Sequence, residues 1–335
     1  MSLVTRLTTR LEIRHPIILA PMDLVSGGLL ASTVSRAGGL GLVAGGYGDD
    51  YEWLEREFAR TEGTRVGCGF ISWSLARDAG ALHKALDSLQ PVAVLLSFGD
   101  PGPFALAVRE SGAVLMIQVQ TVELARRALD LGAEIVVAQG AEAGGHVADN
   151  RSTLALVPAV VDLVSNQAPD ALVVAAGGIG DGRGLAAALA LGADGVLMGT
   201  RFWASRQALV PAEAQARMVE ASGDDTVRTG VADIARGHDW PRPFTGRVLR
   251  NQFTDRWAGA EGELRDSIAS VRYSYQRALA ERNFDIADVP GGEGVGLVRS
   301  IESADDIVRS TVAEAEATIA KLWTIRDQPA PAAGG

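Results

Sequence analysis

The sequence predicts a (β/α)₈ barrel, the TIM-barrel fold of class α/β, with a smaller, mostly helical segment near its C-terminus. Three observations lead there. The chain has 335 residues, and such a barrel alone needs roughly 250. Eight short apolar runs alternate with Ala-, Leu- and Arg-rich stretches of helical spacing. No G-x-G-x-x-G fingerprint follows the first run, as a doubly wound dinucleotide fold would require.

The expected strands are Ile17–Pro21, Gly39–Val43, Val66–Ile71, Ala93–Ser97, Ala113–Val119, Ile135–Gln139, Leu172–Ala176 and Gly195–Met198. They are short and rich in β-branched residues, as strands buried on both faces are. Helical stretches such as Thr121–Leu131 and Gly184–Leu191 lie between them. Eight units imply closure, which removes both sheet edges. ALDLGAEIVVAQG (128–140) and ALALGADGVLMGT (188–200) read as two copies of one building block. In each, a glycine stops the helix before the next strand.

After Thr200 the rhythm breaks. The barrel is expected to take residues 1–205 and about 300–325, with a helical subdomain at 206–300 and a disordered tail at 326–335. Within Glu302–Leu322, the residues Ile307, Val308, Val312, Ala315 and Ile319 fall near one helical face.

Hydrophobic residues at 47% supply ample core material. A net charge of −10 repels nucleic-acid phosphates and anionic lipid. No apolar run reaches the roughly 18 residues of a membrane span, and the N-terminus lacks a signal-peptide core. Cys68 is the single cysteine, so no intramolecular disulfide can form. These features predict a cytoplasmic protein.

Chemistry is expected at the C-terminal ends of the strands. AAGGIGDGRG (175–184) follows the seventh strand and MGT (198–200) the eighth. Such glycines either make tight βα turns or let backbone N–H groups approach a phosphate. Their two positions, where barrels commonly bind phosphate, favour the second reading. AQGAEAGGHVADNR (139–151) follows the sixth strand and places His146 beside Gly144 and Gly145. Those glycines make a turn able to press against a planar ligand. Histidine suits proton transfer near neutral pH; the alternative is a histidine that only caps a loop. His15, His83 and His238 show no metal-ligand spacing, and no transition-metal site is expected. His83 reads as solvated and His238 as a loop residue. Cys68, inside a strand, reads as a buried structural thiol.

Taken together, PIILAPM (16–22), SRAGGLGLVAGG (35–46), VAQGAEAGGH (137–146), AAGGIGDGRG (175–184) and GVLMGTRF (195–202) resemble the nitronate monooxygenases. The resemblance is strongest over residues 10–205 and implies an FMN-dependent barrel that oxidises alkyl nitronates with dioxygen. It implies that Ala20, Pro21 and Met22 lie at the flavin, and that Gln139, Gly144 and Gly145 line its substrate side. It further implies that Gly177, Gly178, Leu197, Met198, Gly199 and Thr200 hold the FMN phosphate, and that His146 is the catalytic histidine. Two stretches depart from the best-known members: VGCGFISW (66–73) lacks their Asn, and QVQT (118–121) stands where they carry a Lys. Both bear on substrate choice. Alternatives are a flavin-dependent enoyl-acyl-carrier reductase using NAD(P)H and a non-catalytic FMN-binding barrel.

Overall fold

In the computed structural model, which describes residues 3–148 and 151–326, eight parallel strands form the barrel wall. They are β1 (Ile17–Leu19), β2 (Leu42–Gly46), β3 (Gly67–Ile71), β4 (Ala93–Ser97), β5 (Val114–Val119), β6 (Ile135–Gln139), β8 (Leu172–Ala176) and β9 (Gly195–Met198). Their order is β1-β9-β8-β6-β5-β4-β3-β2. A parallel bridge between Ile18 and Leu40 joins the two ends and closes the ring.

Side chains alternate along each strand, as a period of two dictates. Ile18, Leu42, Leu95, Met116, Val137 and Val174 point into the barrel. Leu19, Val43, Cys68, Leu96, Ile117 and Val136 point outward beneath the helices. Cys68 is fully buried, and desolvation pushes its thiol pKa well up. It sits where the sequence placed it, as an inert core thiol.

Six strands match expectation outright or differ from it by one residue at the start. β2 runs later: Leu40 makes only an isolated bridge to Ile18, and the Gly41 N–H turns to Ser35 Oγ at 2.9 Å. The ladder then continues through an irregularity at Ala44/Gly46. β1 is shorter, since Pro21 has no N–H to give the ladder; Ala20 makes the last bond, to the Met198 carbonyl at 3.0 Å.

The helix Arg6–Leu11 plugs the N-terminal end of the barrel. Thr5 caps it, and Arg6 grips Asp194 through two bonds of 2.9 Å. Leu7 is fully buried in the barrel interior and packs against Gly195. Leu7→Ala is expected to lower stability by about 2–5 kcal/mol, the range for emptied core leucine sites. Urea unfolding checks this, with exposed Leu29→Ala as the control expected to change little.

The helix Ala304–Arg326 follows the long excursion after β9 and packs on helices Gly182–Ala190 and Gly28–Ala37. Its buried face is the expected one, with Ile307, Val308, Val312 and Ala315 all buried. The intervening segment holds five α-helices between 212 and 280, but also β10 (Thr226–Thr229) and β11 (Phe244–Leu249). These two join β7 (Gly145–Ala148) in a three-stranded antiparallel sheet, β10-β11-β7. The residues after β6, expected as a loop, are therefore partly a strand. Apart from Arg326, the expected tail lies outside the described residues.

Candidate active site

A cavity of about 270 Å³ opens at the C-terminal ends of the strands. Ala20, Pro21, Met22, Gln139, Gly144, Gly145, His146, Gly177, Gly178, Leu197, Gly199 and Thr200 all line it. Met198 is the exception. It follows Leu197 on β9, so its side chain faces outward into the layer beneath the helices. It contributes its carbonyl to β1 instead.

Pro21 lies directly over Gly69, where a Cβ would come within 2.3 Å of the proline ring. Gln118, Gln120 and Gln139 are buried together. Gln118 and Gln120 both donate to Gln139 Oε1, at 3.2 and 2.9 Å. Gln139 Nε2 then donates to the His146 carbonyl at 3.1 Å. The QVQT stretch is thus a relay of amides that fixes the backbone of β7.

Two loops face the cavity at β8 and β9. Gly177 (φ 100°) and Gly178 (φ 71°) adopt left-handed backbone that side chains disfavour. Thr153 Oγ1 donates to the Gly177 carbonyl at 2.9 Å and pins the loop. Among the described residues, the N–H groups of Gly178, Ile179 and Gly199 have no hydrogen-bond partner. Thr200 Oγ1 is engaged from the far side, accepting from the Gly292 N–H at 3.1 Å.

Gly144 borders the cavity and also meets the chain itself. A Cβ there would lie 2.4 Å from the Gly292 nitrogen, so its bareness admits the backbone of Gly291–Gly292. Gly145 (φ 65°) has open space around its missing Cβ and turns the chain into β7.

His146 sits on β7 opposite Gly246 of β11. Its Nε2 lies 2.9 and 3.0 Å from the two carboxylate oxygens of Asp233. Trp240 covers its ring face to face at 3.4 Å and 6°. Phe98 and Phe244 meet the edges of Trp240. The Trp240 Nε1–H donates to the Tyr47 hydroxyl at 2.9 Å, and Tyr47 stacks on His238. His238 lies in a loop as expected, yet that loop lines the cavity. His83 is exposed on its helix.

Charge around the cavity is mixed. Desolvation first, and the nearby Asp49 second, push the Asp23 carboxyl up to about 6. Desolvation lowers the pKa of His238 and raises that of Tyr47. Burial opposes the charge on Arg236, but Asp288 and Tyr275 outweigh it and keep the guanidinium protonated. Asp288 accepts from Arg236 at 2.5 Å and from the Tyr275 hydroxyl. Among the described residues, no three His, Cys, Asp or Glu side chains gather as metal ligands. No helix there is long and apolar enough to cross a membrane.

Nothing in the sequence marks Asp233, Trp240 or Tyr47 as site residues, and Arg236 reads there only as part of a candidate basic patch with Arg242, Arg247 and Arg250. Asp233, Trp240 and Arg236 stand far from the glycine motifs, and Tyr47 follows one of them directly but belongs to no quoted motif. Only the run of aromatic and charged residues in ARGHDWPRP (235–243) hinted at more than a surface loop.

The sequence model of the family described as nitronate monooxygenase matches residues 4–60 and 76–314. The unmatched stretch between them contains VGCGFISW, one of the two departures noted above. The chain is 33% identical to the nitronate monooxygenase of Neurospora crassa, over 92% of this chain and 91% of that one. It is similar to FabK from Thermotoga maritima, with TM-score 0.83 and 31% identity over 97% of this chain and 100% of that chain. It is also similar to nitroalkane oxidase from Streptomyces ansochromogenes, with TM-score 0.76 and 26% identity over 95% and 100%. With a family match across most of its length and a relative this similar end to end, the chain belongs to the nitronate monooxygenase family and is a flavin-dependent oxidoreductase.

Proposed function

We propose that the chain is an FMN-dependent nitronate monooxygenase, oxidising alkyl nitronates, and nitroalkanes after deprotonation, with dioxygen. The observation that carries this reading is a histidine held at one side of a cavity whose other side presents unpaired backbone N–H groups.

The residues present fit the cofactor. Three N–H groups without partners, on two adjacent loops at the β8 and β9 ends, suit the oxygens of one phosphate. Gly178, Ile179 and Gly199 would hold it, while Ala20, Pro21, Met22 and Gly145 would border the ring system. One phosphate cradle and no dinucleotide fingerprint favour FMN over FAD. When bound, the flavin would supply the redox chemistry with dioxygen.

The chain's own residues do the rest. His146 takes the α-proton of a neutral nitroalkane; a nitronate arrives without that proton. The Gln118–Gln120–Gln139 relay fixes the backbone that carries His146. The wall of Trp73, Phe98, Trp240 and Phe244 excludes water from the reacting atoms. A single buried thiol and the acidic composition support a cytoplasmic setting.

The reading as an enoyl-acyl-carrier reductase needs a basic surface for an acidic carrier. Of Arg236, Arg242, Arg247 and Arg250, three lie against carboxylates, which weakens such a surface. Arg236 turns to Asp288, Arg247 is mostly buried against Glu293, and Arg250 faces Asp255.

The purified protein is expected to release FMN on denaturation and to take up oxygen with a panel of alkyl nitronates. Anaerobic NAD(P)H is expected to leave the flavin oxidised on the turnover timescale. Release of FAD would overturn the cofactor assignment. Rapid bleaching by NAD(P)H without nitronate-dependent oxygen uptake would favour the reductase, and bound FMN with neither reaction would favour a binding protein.

A further inference from the structure

We propose that Asp233 is a positioning residue that fixes His146 in one tautomer and makes Nδ1 the atom that accepts the substrate proton. The inference rests on the reading of His146 as the base and adds which nitrogen acts and what holds it.

The argument begins with donors and acceptors. An ionised carboxylate accepts hydrogen bonds and cannot donate them. Nε2 lies 2.9 and 3.0 Å from both oxygens of Asp233, so the proton of a neutral imidazole belongs on Nε2. The lone pair is then on Nδ1, the ring nitrogen that Asp233 does not engage. Trp240 fixes the plane of the ring, stacked at 3.4 Å and 6°. The carboxylate fixes its rotation within that plane. A 180° flip about Cβ–Cγ would put Cε1 where Nε2 now sits; it keeps the ring plane against Trp240 but loses the bond to Asp233.

Asp233 is itself well held. Its side chain is 12% exposed. Its carbonyl accepts from the Gly237 and His238 N–H groups at 2.8 and 2.9 Å, which ends the helix Val231–Arg236. That helix comes from the excursion after β9, whereas His146 follows β6. Other charged or titratable groups around the pair are Asp23, Tyr47, Asp49, Arg236 and His238. None of them is placed within hydrogen-bond distance of the His146 ring.

The proton balance is simple. The Cα–H bond of the nitroalkane breaks, and the proton goes to Nδ1. The electron pair moves into the new C=N bond, and the negative charge comes to rest on the nitro oxygens. The ring becomes an imidazolium, with the carboxylate of Asp233 already against its Nε2–H to balance that charge.

Asp233→Asn tests the assignment with almost no change of shape. The amide can offer N–H to Nε2, which stabilises the opposite tautomer and puts the proton on Nδ1. Turnover of neutral nitroethane is expected to fall about 10²–10⁴-fold, as far as losing the base itself, because the wrong tautomer leaves no lone pair on Nδ1. KM for nitroethane and turnover of ethyl nitronate are expected to change little. Nitrogen NMR of the holoenzyme with ¹⁵N-labelled histidine reads the tautomer directly. It is expected to show unprotonated Nδ1 at His146 in the wild type and protonated Nδ1 in the variant. The signal is identified by its absence from His146→Asn, in a chain with only four histidines. Equal losses on nitroethane and ethyl nitronate, or an unchanged tautomer, would overturn the proposal for Asp233. If His146→Asn itself keeps full turnover of nitroethane, the reading of His146 as base fails instead, and the two failures are told apart.

Discussion

His146→Asn is expected to lower oxygen consumption with a neutral nitroalkane by about 10²–10⁴-fold, the usual contribution of a general base. With the corresponding pre-formed nitronate at the same pH, the fall is expected to be much smaller. The difference follows from the proton. A neutral nitroalkane must lose it at the active site, whereas the nitronate has already lost it and needs only to be placed. Asn keeps a polar group of similar reach on β7, whose pairing with β11 is made by backbone and does not depend on the side chain. Flavin content is therefore expected to stay at the wild-type level. Equal losses on both substrate forms would leave His146 a binding role only. No loss on either would make it structural, held by Asp233 and Trp240 for packing alone.

Valine at Gly178 or Gly199 is expected to remove bound flavin while the barrel persists. The two positions test the phosphate cradle in different ways. Gly178 has φ of 71°, and a Cβ there would lie 3.3 Å from Glu142 Cβ. Valine at this position strains the loop and turns its N–H groups away. Gly199 has φ of −109°, and its Cβ would make ordinary contacts of 3.6 Å with Ala20 and Met22. Valine is tolerated by the backbone there, and its methyl groups extend into the cavity. Hydrogen bonds to a charged group are worth about 1.5–3 kcal/mol each, so losing one weakens flavin binding at least about tenfold. Flavin absorbance per protein after gel filtration gives the result, and far-ultraviolet circular dichroism reports the fold. Wild-type flavin in both variants would place the phosphate elsewhere.

The barrel was legible because its strands obey a local rule. Runs such as AVLLS (93–97) and LVVAA (172–176) are bounded by turn residues and are too short for helices, and the structure keeps both limits. The cavity's glycine loops were legible for the same reason, since glycine marks backbone that other residues disfavour. What surrounds His146 was not legible. Asp233 is distant by 87 residues, inside the short helical stretch VADIAR, where a carboxylate near a helix start needs no further explanation. β7 was hidden too, because GHVA is too brief to show a period and gains its strand character only from pairing with β11. Gly144 shows the limit from the other side. The sequence signalled that something passes close to it, and that something is the chain itself, at Gly291–Gly292.

The splicing of the excursion between β9 and the helix Ala304–Arg326 sets an order on the ribosome. When Thr200 has been polymerised, every strand of the barrel wall exists, along with the glycine residues that follow β8 and β9. His146 then has neither the strand that pairs with β7 nor the carboxylate that meets its ring, since Phe244–Leu249 and Asp233 are still to be made. The helix that covers Gly28–Ala37 and Gly182–Ala190 emerges last of all. A nascent chain therefore completes the backbone cradle well before the apparatus around His146. Translation must run past both halves of the excursion before one molecule holds the two together.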